Sequence, residues 1–188
     1  MNYSELVAEI QSYVENQFTT TDINTFIQQA EQRVYNTVQL PAFRKNVTGT
    51  LTIGNSYLTM PTDWLATFSL AVITAAGEYQ YLLNKDVNFI RAAYPTPTPD
   101  YAYTAELHYY YYPESIVTAG TTWLGDNFDS VLLYGSLLEA YTFMKGETDV
   151  ITVYQARYQE AMSLLKQLGD GKDRRDAYRS GQVRYPVQ

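Results

Sequence analysis

The chain has 188 residues, 46% hydrophobic and 18% charged, with a formal charge of −7, no cysteine and a single histidine. That composition suits one folded domain, or one domain with an inserted subdomain. It excludes disulfide scaffolds, thiol nucleophiles, thiolate metal sites and histidine clusters for zinc or iron. Net acidity argues against a grip on nucleic acid, whose affinity comes mostly from neutralised phosphates. No apolar run reaches the roughly 18–20 residues that span a bilayer. The opening MNYSELVAEI is acidic and polar, unlike a signal peptide, so the expectation is intracellular at synthesis. Tyrosine is abundant, 19 against 7 phenylalanines and 2 tryptophans. A ring that keeps a hydroxyl for water favours interfaces and half-wet surfaces.

In chain order, Ser4 reads as the N-cap of a first helix with Leu6, Val7, Ile10, Tyr13 and Val14 on one face. The cluster Thr19-Thr20-Thr21-Asp22 caps a second helix through about Val38. Its stripe is Ile23, Phe26, Ile27, Ala30, Val34 and Val38; Gln28, Gln29, Glu31 and Gln32 are expected to face outward, and Pro41 stops it. From Val47 the period changes to two, and Gly54-Asn55 reads as a hairpin turn into a strand at Ser56–Met60. Thr67–Thr74 is a further strand, turned by Gly77 into Tyr79–Leu83. Asn84 opens a short helix to about Ala93, and the three prolines of Tyr94–Asp100 make a stiff connector. Ala102–Tyr112 alternates Tyr103, Ala105, Leu107, Tyr109 and Tyr111 with Glu106, His108, Tyr110 and Tyr112.

A loop with Gly120, Trp123 and Gly125 then leads to Asp126 or Asp129, either able to cap the next helix. That helix, from Phe128, is apolar on nearly every side, which marks it as buried. The last helix, from Val150, carries Ile151, Tyr154, Tyr158, Ala161, Leu165 and Leu168 as a single seam, with Gly169 as a candidate left-handed cap. The predicted class is α+β: mainly a helical bundle, an N-terminal helical pair plus two C-terminal helices, with an inserted small antiparallel β subdomain. A single domain is expected over 1–169, with helices at about 3–38 and 128–168 and a β-rich insertion at about 46–124. Residues 170–188 are expected to be an extended C-terminal arm.

Catalytic signals are weak. His108 has no positioned partner in the sequence, and no nucleophile elbow, phosphate loop or metal-binding histidine pair occurs. Asp126 and Asp129 resemble a carboxylate pair, but acids at a helix start are favoured by capping and the macrodipole alone. The expectation is no enzyme activity, no catalytic or metal site and no cofactor. A second reading takes the tyrosines, with Trp64 and Trp123 as stacking platforms, for a carbohydrate- or receptor-binding module.

The sharpest signal is the tail. Residues 170–188 hold five basic groups and three acids, a balance of +2, which leaves −9 on the rest of a chain of net −7. Ordering one residue's backbone costs about 1–2 kcal/mol, and a segment with so few apolar residues cannot repay that alone. An arm that orders on a partner, through its arginines and tyrosines, is the reading this composition supports.

The order of these patterns resembles the head-to-tail adaptor (connector, or head completion) proteins of tailed bacteriophages, especially the short-tailed type. The residues carrying it are the N-terminal helical pair, TLTIGNSYLTMPTDWL, LLNKDVNFIRAAYP with its proline-rich loop, ELHYYYYPE, FDSVLLYGSLLEAYTFM, and VYQARYQEAMSLLKQL with Tyr154 and Tyr158 in aromatic-x-x-x-Tyr spacing. The resemblance implies a structural virion protein, forming a ring, commonly of twelve copies, between the portal protein and a tail nozzle or tail tube protein. It implies a monomer when free, assembly in the host bacterial cytoplasm, location at the portal–tail neck, and a channel that passes genomic DNA without binding it specifically. By the same carry-over, Lys172, Arg174, Arg175, Tyr178, Arg179, Arg184 and Tyr185 are the portal-contact candidates.

Overall fold

A computed structural model describes residues 1–14, 17–55, 57–86, 88, 92–93, 99 and 102–175, with side chains described as far as 169. Among them are six helices and a four-stranded antiparallel sheet, an α+β fold. The helices are α1 (Tyr3–Val14), α2 (Thr20–Thr37), α3 (Ile116–Ala119), α4 (Trp123–Asn127), α5 (Asp129–Met144) and α6 (Thr148–Arg175). The strands are β1 (Arg44–Leu51), β2 (Trp64–Ile73), β3 (Tyr79–Tyr81) and β4 (Tyr103–Tyr111). Two compact units result: a helical one from residues 1–42 and 114–188, and a sheet one from 43–113 that interrupts it. Within the insertion expected at about 46–124, residues 116–119 and 123–124 instead belong to the helical turns α3 and α4 of the helical unit.

In the helical unit, α5 packs on α1, α2, α4 and α6. Its all-round apolarity has that consequence: Val131, Leu132, Leu133, Leu137, Leu138 and Ala140 are all buried. Gly135 lets the neighbours close in, since a Cβ there would lie 3.0 Å from the Ala30 Cβ and 3.2 Å from the Tyr158 ring. From α2 come Ile23, Phe26, Ile27, Ala30, Val34 and Val38, the whole expected stripe. Thr19 caps α2, its hydroxyl accepting from the Asp22 N–H. The cap of α1 is Asn2 rather than Ser4: its side chain accepts from the Glu5 N–H while Glu5 accepts from the Asn2 N–H, a reciprocal box.

Three other expectations are corrected here. Glu31 does not face solvent; it is 2% exposed, and its carboxylate accepts the Ile116 N–H at 2.9 Å, tying α2 to the start of α3. Neither Asp126 nor Asp129 caps α5. Thr122 caps α4 by accepting from the Gly125 N–H, α4 ends at Phe128, and Phe128 stands at the N-cap of α5 with no side-chain cap bond. Gly169 does not end the last helix, which runs on to Arg175. A Cβ at 169 would lie 2.7 Å from Leu40 Cδ2, so this glycine serves a close approach rather than a left-handed turn.

The sheet has the order β1-β4-β2-β3. Thr52 to Asn55 does form a turn, with Gly54 at φ 76°, but Tyr57–Met60 is not a strand. β1 pairs instead with β4, in unbroken register from Arg44↔Tyr110 to Leu51↔Tyr103. The alternating tyrosine strand offers eight paired positions, where the segment after the turn offers few before Pro61. The β2–β3 hairpin forms as expected, with Gly77 at φ 81°. The Asn84–Ala93 helix and the Tyr94–Asp100 connector fall largely outside the described residues.

Candidate partner interface

The portal-contact candidates divide at the end of α6. Lys172, Arg174 and Arg175 belong to its last two turns, whereas Tyr178, Arg179, Arg184 and Tyr185 lie outside the described residues. Upstream, the helix is anchored firmly. Tyr158, Ala161, Met162 and Leu165 are buried, and Tyr154 meets the rings of Tyr13, Tyr134 and Tyr141 at centroid distances of 6.5, 6.2 and 5.1 Å. Burial, then a hydrogen bond with Tyr141, pushes the Tyr154 phenol up to about 12, so it stays a neutral packing group. The geometry is that of a helix anchored along the helical unit as far as Leu165 and continuing to Arg175.

Beside this helix runs a groove of about 460 Å³ lined by Arg33, Thr37, Tyr158, Met162, Ser163 and Lys166. Arg33 pairs with Glu139 across α2 and α5. Twelve acids and four bases lie in residues 1–42 and 114–169, so most of the body's negative charge sits on the helical unit.

The sheet unit carries the aromatic groups. On one face, Tyr109 donates to Asp63 at 2.9 Å, Lys45 bonds the other oxygen of Asp63 at 2.9 Å, and the Lys45 ammonium lies 3.9 Å from the Tyr111 ring. The hydrogen bond from Lys45 holds the Asp63 carboxyl below its usual range, and the same bond raises the lysine. On the other face, Arg44 sits 4.2 Å above Phe68 and 5.1 Å from Tyr110, and donates to the Tyr110 hydroxyl. Glu106 lies at the centre of that face, 8% exposed, bonded by Asn46 at 3.3 Å and by His108 at 2.8 Å. Hydrogen bonds from Asn46, then Tyr79, hold its carboxyl low, and the same contact with Glu106 raises Tyr79. The lone histidine is thus engaged in a structural cluster on a strand. Among the described residues no group of three His, Cys, Asp or Glu side chains is placed to hold a metal.

Compared with known protein families, residues 1–185 match the SU10 adaptor protein family. The chain belongs to that family. SU10 adaptor proteins are phage head-to-tail adaptors, so this is a bacteriophage structural protein of the virion-assembly class. No curated protein matches the chain. No described helix is long and apolar enough to cross a membrane. What the sequence did not disclose is the length of the last helix: Gly169 reads as its cap, and only the contact with Leu40 shows why glycine is needed there.

Proposed function

We propose that the chain is a head-to-tail adaptor that forms a ring between the portal and the tail. In this reading each subunit's arm docks on the portal, and the ring's central channel passes DNA without binding it specifically. The observation that carries the reading is the family match over residues 1–185, joined to a basic arm that follows a well-anchored helix. The role is structural and non-enzymatic, at the portal–tail neck of the virion, with a tail nozzle or tube protein below. The molecule is a helical bundle carrying an inserted sheet and an extended arm, with Lys172, Arg174, Arg175, Tyr178, Arg179, Arg184 and Tyr185 contacting the portal. Arms in a ring act together, so each can bind weakly while the assembly holds. Acidic walls repel the DNA phosphates and keep the channel from gripping its cargo.

The test is a chain shortened to residues 1–175, which keeps α6 whole. Its thermal unfolding should match the full chain's, while its attachment to portal-bearing heads should be strongly weakened, because Tyr178, Arg179, Arg184 and Tyr185 are gone and only Lys172, Arg174 and Arg175 remain. Attachment by the shortened chain at full strength would remove the arm from the mechanism.

A further inference from the structure

We propose that neighbouring copies in the ring join their sheets edge to edge, β3 of one copy lying antiparallel to β1 of the next. This rests on the ring reading above and supplies the contact that reading leaves open.

Among the described residues, neither edge of the sheet has a further strand beside it. The order β1-β4-β2-β3 leaves the outer sides of β1 and β3 unpaired, and among the described residues no hydrogen bond reaches the backbone of 45–51 or 79–81 from those sides. Soluble proteins shield long edges with prolines, bulges or inward charges, because an open edge recruits another strand. β1 spans eight residues without proline, and its register with β4 has no irregularity; both bulges of this sheet are in β2. Its two charged residues, Arg44 and Lys45, stand at its first two positions, which leaves Asn46–Leu51 as the stretch fit for pairing.

The strand count selects the partner. All three pairings are antiparallel, so β1 and β3 run in opposite directions. Copies related by rotation about a ring axis keep their strand directions, so β3 of one copy meets β1 of the next antiparallel, with like faces on the same side. An odd number of strands would have forced a parallel junction, the less stable kind. Two different edges also give a heterologous contact, the type that closes into rings.

The side chains match at that junction. Tyr79 and Tyr81 share a face with Asn46, Thr48 and Thr50. The two rings are 53% and 69% exposed, and aromatic residues opposite β-branched ones are favourable cross-strand pairs. The Glu106 contact holds Tyr79 over the face. On the opposite face, Gln80 meets Val47, which is 40% exposed, and Gly49. The size agrees as well. Four strands span about 19 Å, so twelve copies make a belt of about 230 Å circumference and about 70 Å diameter, ample for a DNA channel.

The cysteine-free chain makes the test direct. Gln80→Cys is combined in turn with Asn46→Cys, Val47→Cys, Thr48→Cys and Gly49→Cys, and each full-length variant is assembled on portal and oxidised. Within one copy these edges lie too far apart for a disulfide. Linked ladders should appear with Val47→Cys or Gly49→Cys, which share the Gln80 face, and not with Asn46→Cys or Thr48→Cys. A ring seen by mass with no ladder from any pair overturns the edge junction and leaves the adaptor reading standing. Failure of the wild-type chain to ring on portal removes that reading, and the junction with it. Crosslinked dimers from Gln80→Cys alone would mean two β3 edges meeting about a twofold, which also overturns it. Hydrogen exchange on the wild-type chain gives a readout free of folding artefacts: amides in 45–51 and 79–81 should slow at least tenfold on ring assembly. Protection of only one edge would point to a strand lent by portal or tail protein and would overturn the proposal.

Discussion

The two units of this chain solve the burial problem in opposite ways. Every one of the largest fully buried side chains, from Leu6 and Ile10 to Leu137 and Leu165, belongs to the helical unit. Most of the large apolar side chains left exposed belong to the sheet unit, among them Ile53, Tyr57, Tyr81 and Leu83 at 61%, 77%, 69% and 81%. Four helices packed around α5 can close a core from one chain. A small single sheet has two faces and two edges, and it leaves apolar surface bare until something covers it. The helical unit closes its own core; the sheet unit leaves much of its apolar surface exposed.

That contrast can be broken by substitution. The largest effect belongs to Leu137→Ala, in the middle of α5 and fully buried, which should cost about 2–5 kcal/mol in urea unfolding of the free chain. Leu83→Ser, at 81% exposure, should change free-chain stability by no more than about 0.5 kcal/mol. Equal losses from the two would erase the distinction between the units.

Next comes Glu31. Its alanine variant strands the buried Ile116 N–H and should cost about 1–3 kcal/mol. Burial raises this carboxyl above its ordinary 4.5, against hydrogen bonds from Ile116 and Ser115 that pull it down. The folded state thus holds the proton more tightly than the unfolded one. The stability this gives is fully present below about 4.5 and lost as pH rises through the higher folded value. Glu31→Gln keeps the acceptor and should flatten that part of the pH profile, as equilibrium unfolding at several pH values will read. A profile as steep as the wild type's would assign the pH dependence to another group.

A smaller effect than that of Glu31 is expected in the sheet unit's surface pair. Lys45 and Asp63 are 48% and 31% exposed, so Lys45→Ala should cost under about 1 kcal/mol, and less at high salt. A cost of several kcal/mol would show that this corner is more than a solvated ion pair.

Much of the helical unit was legible in the sequence, because periodicity reports local geometry. The α2 stripe, the all-round apolar α5 and the seam of Tyr158, Ala161 and Leu165 all pack as their spacing predicts. What escaped depends on residues distant in the chain. Glu31 looks like an outward acid on α2 until the Ile116 N–H, 85 residues on, arrives to be capped. β1 looks like half of a local hairpin until β4 supplies a longer partner. Gly169 looks like a stop until Leu40 crosses it. For the interface itself, charge and composition mark the arm, and its register on a partner is not written in a segment that cannot bury itself.

The most direct measurement of the central claim is the mass of the complex formed when the full-length chain is mixed with purified portal. A closed ring of copies riding on the portal, and no such ring when residues 176–188 are removed, is the predicted result. A chain that stays apart from the portal, or rings on it equally well without those residues, would contradict the account.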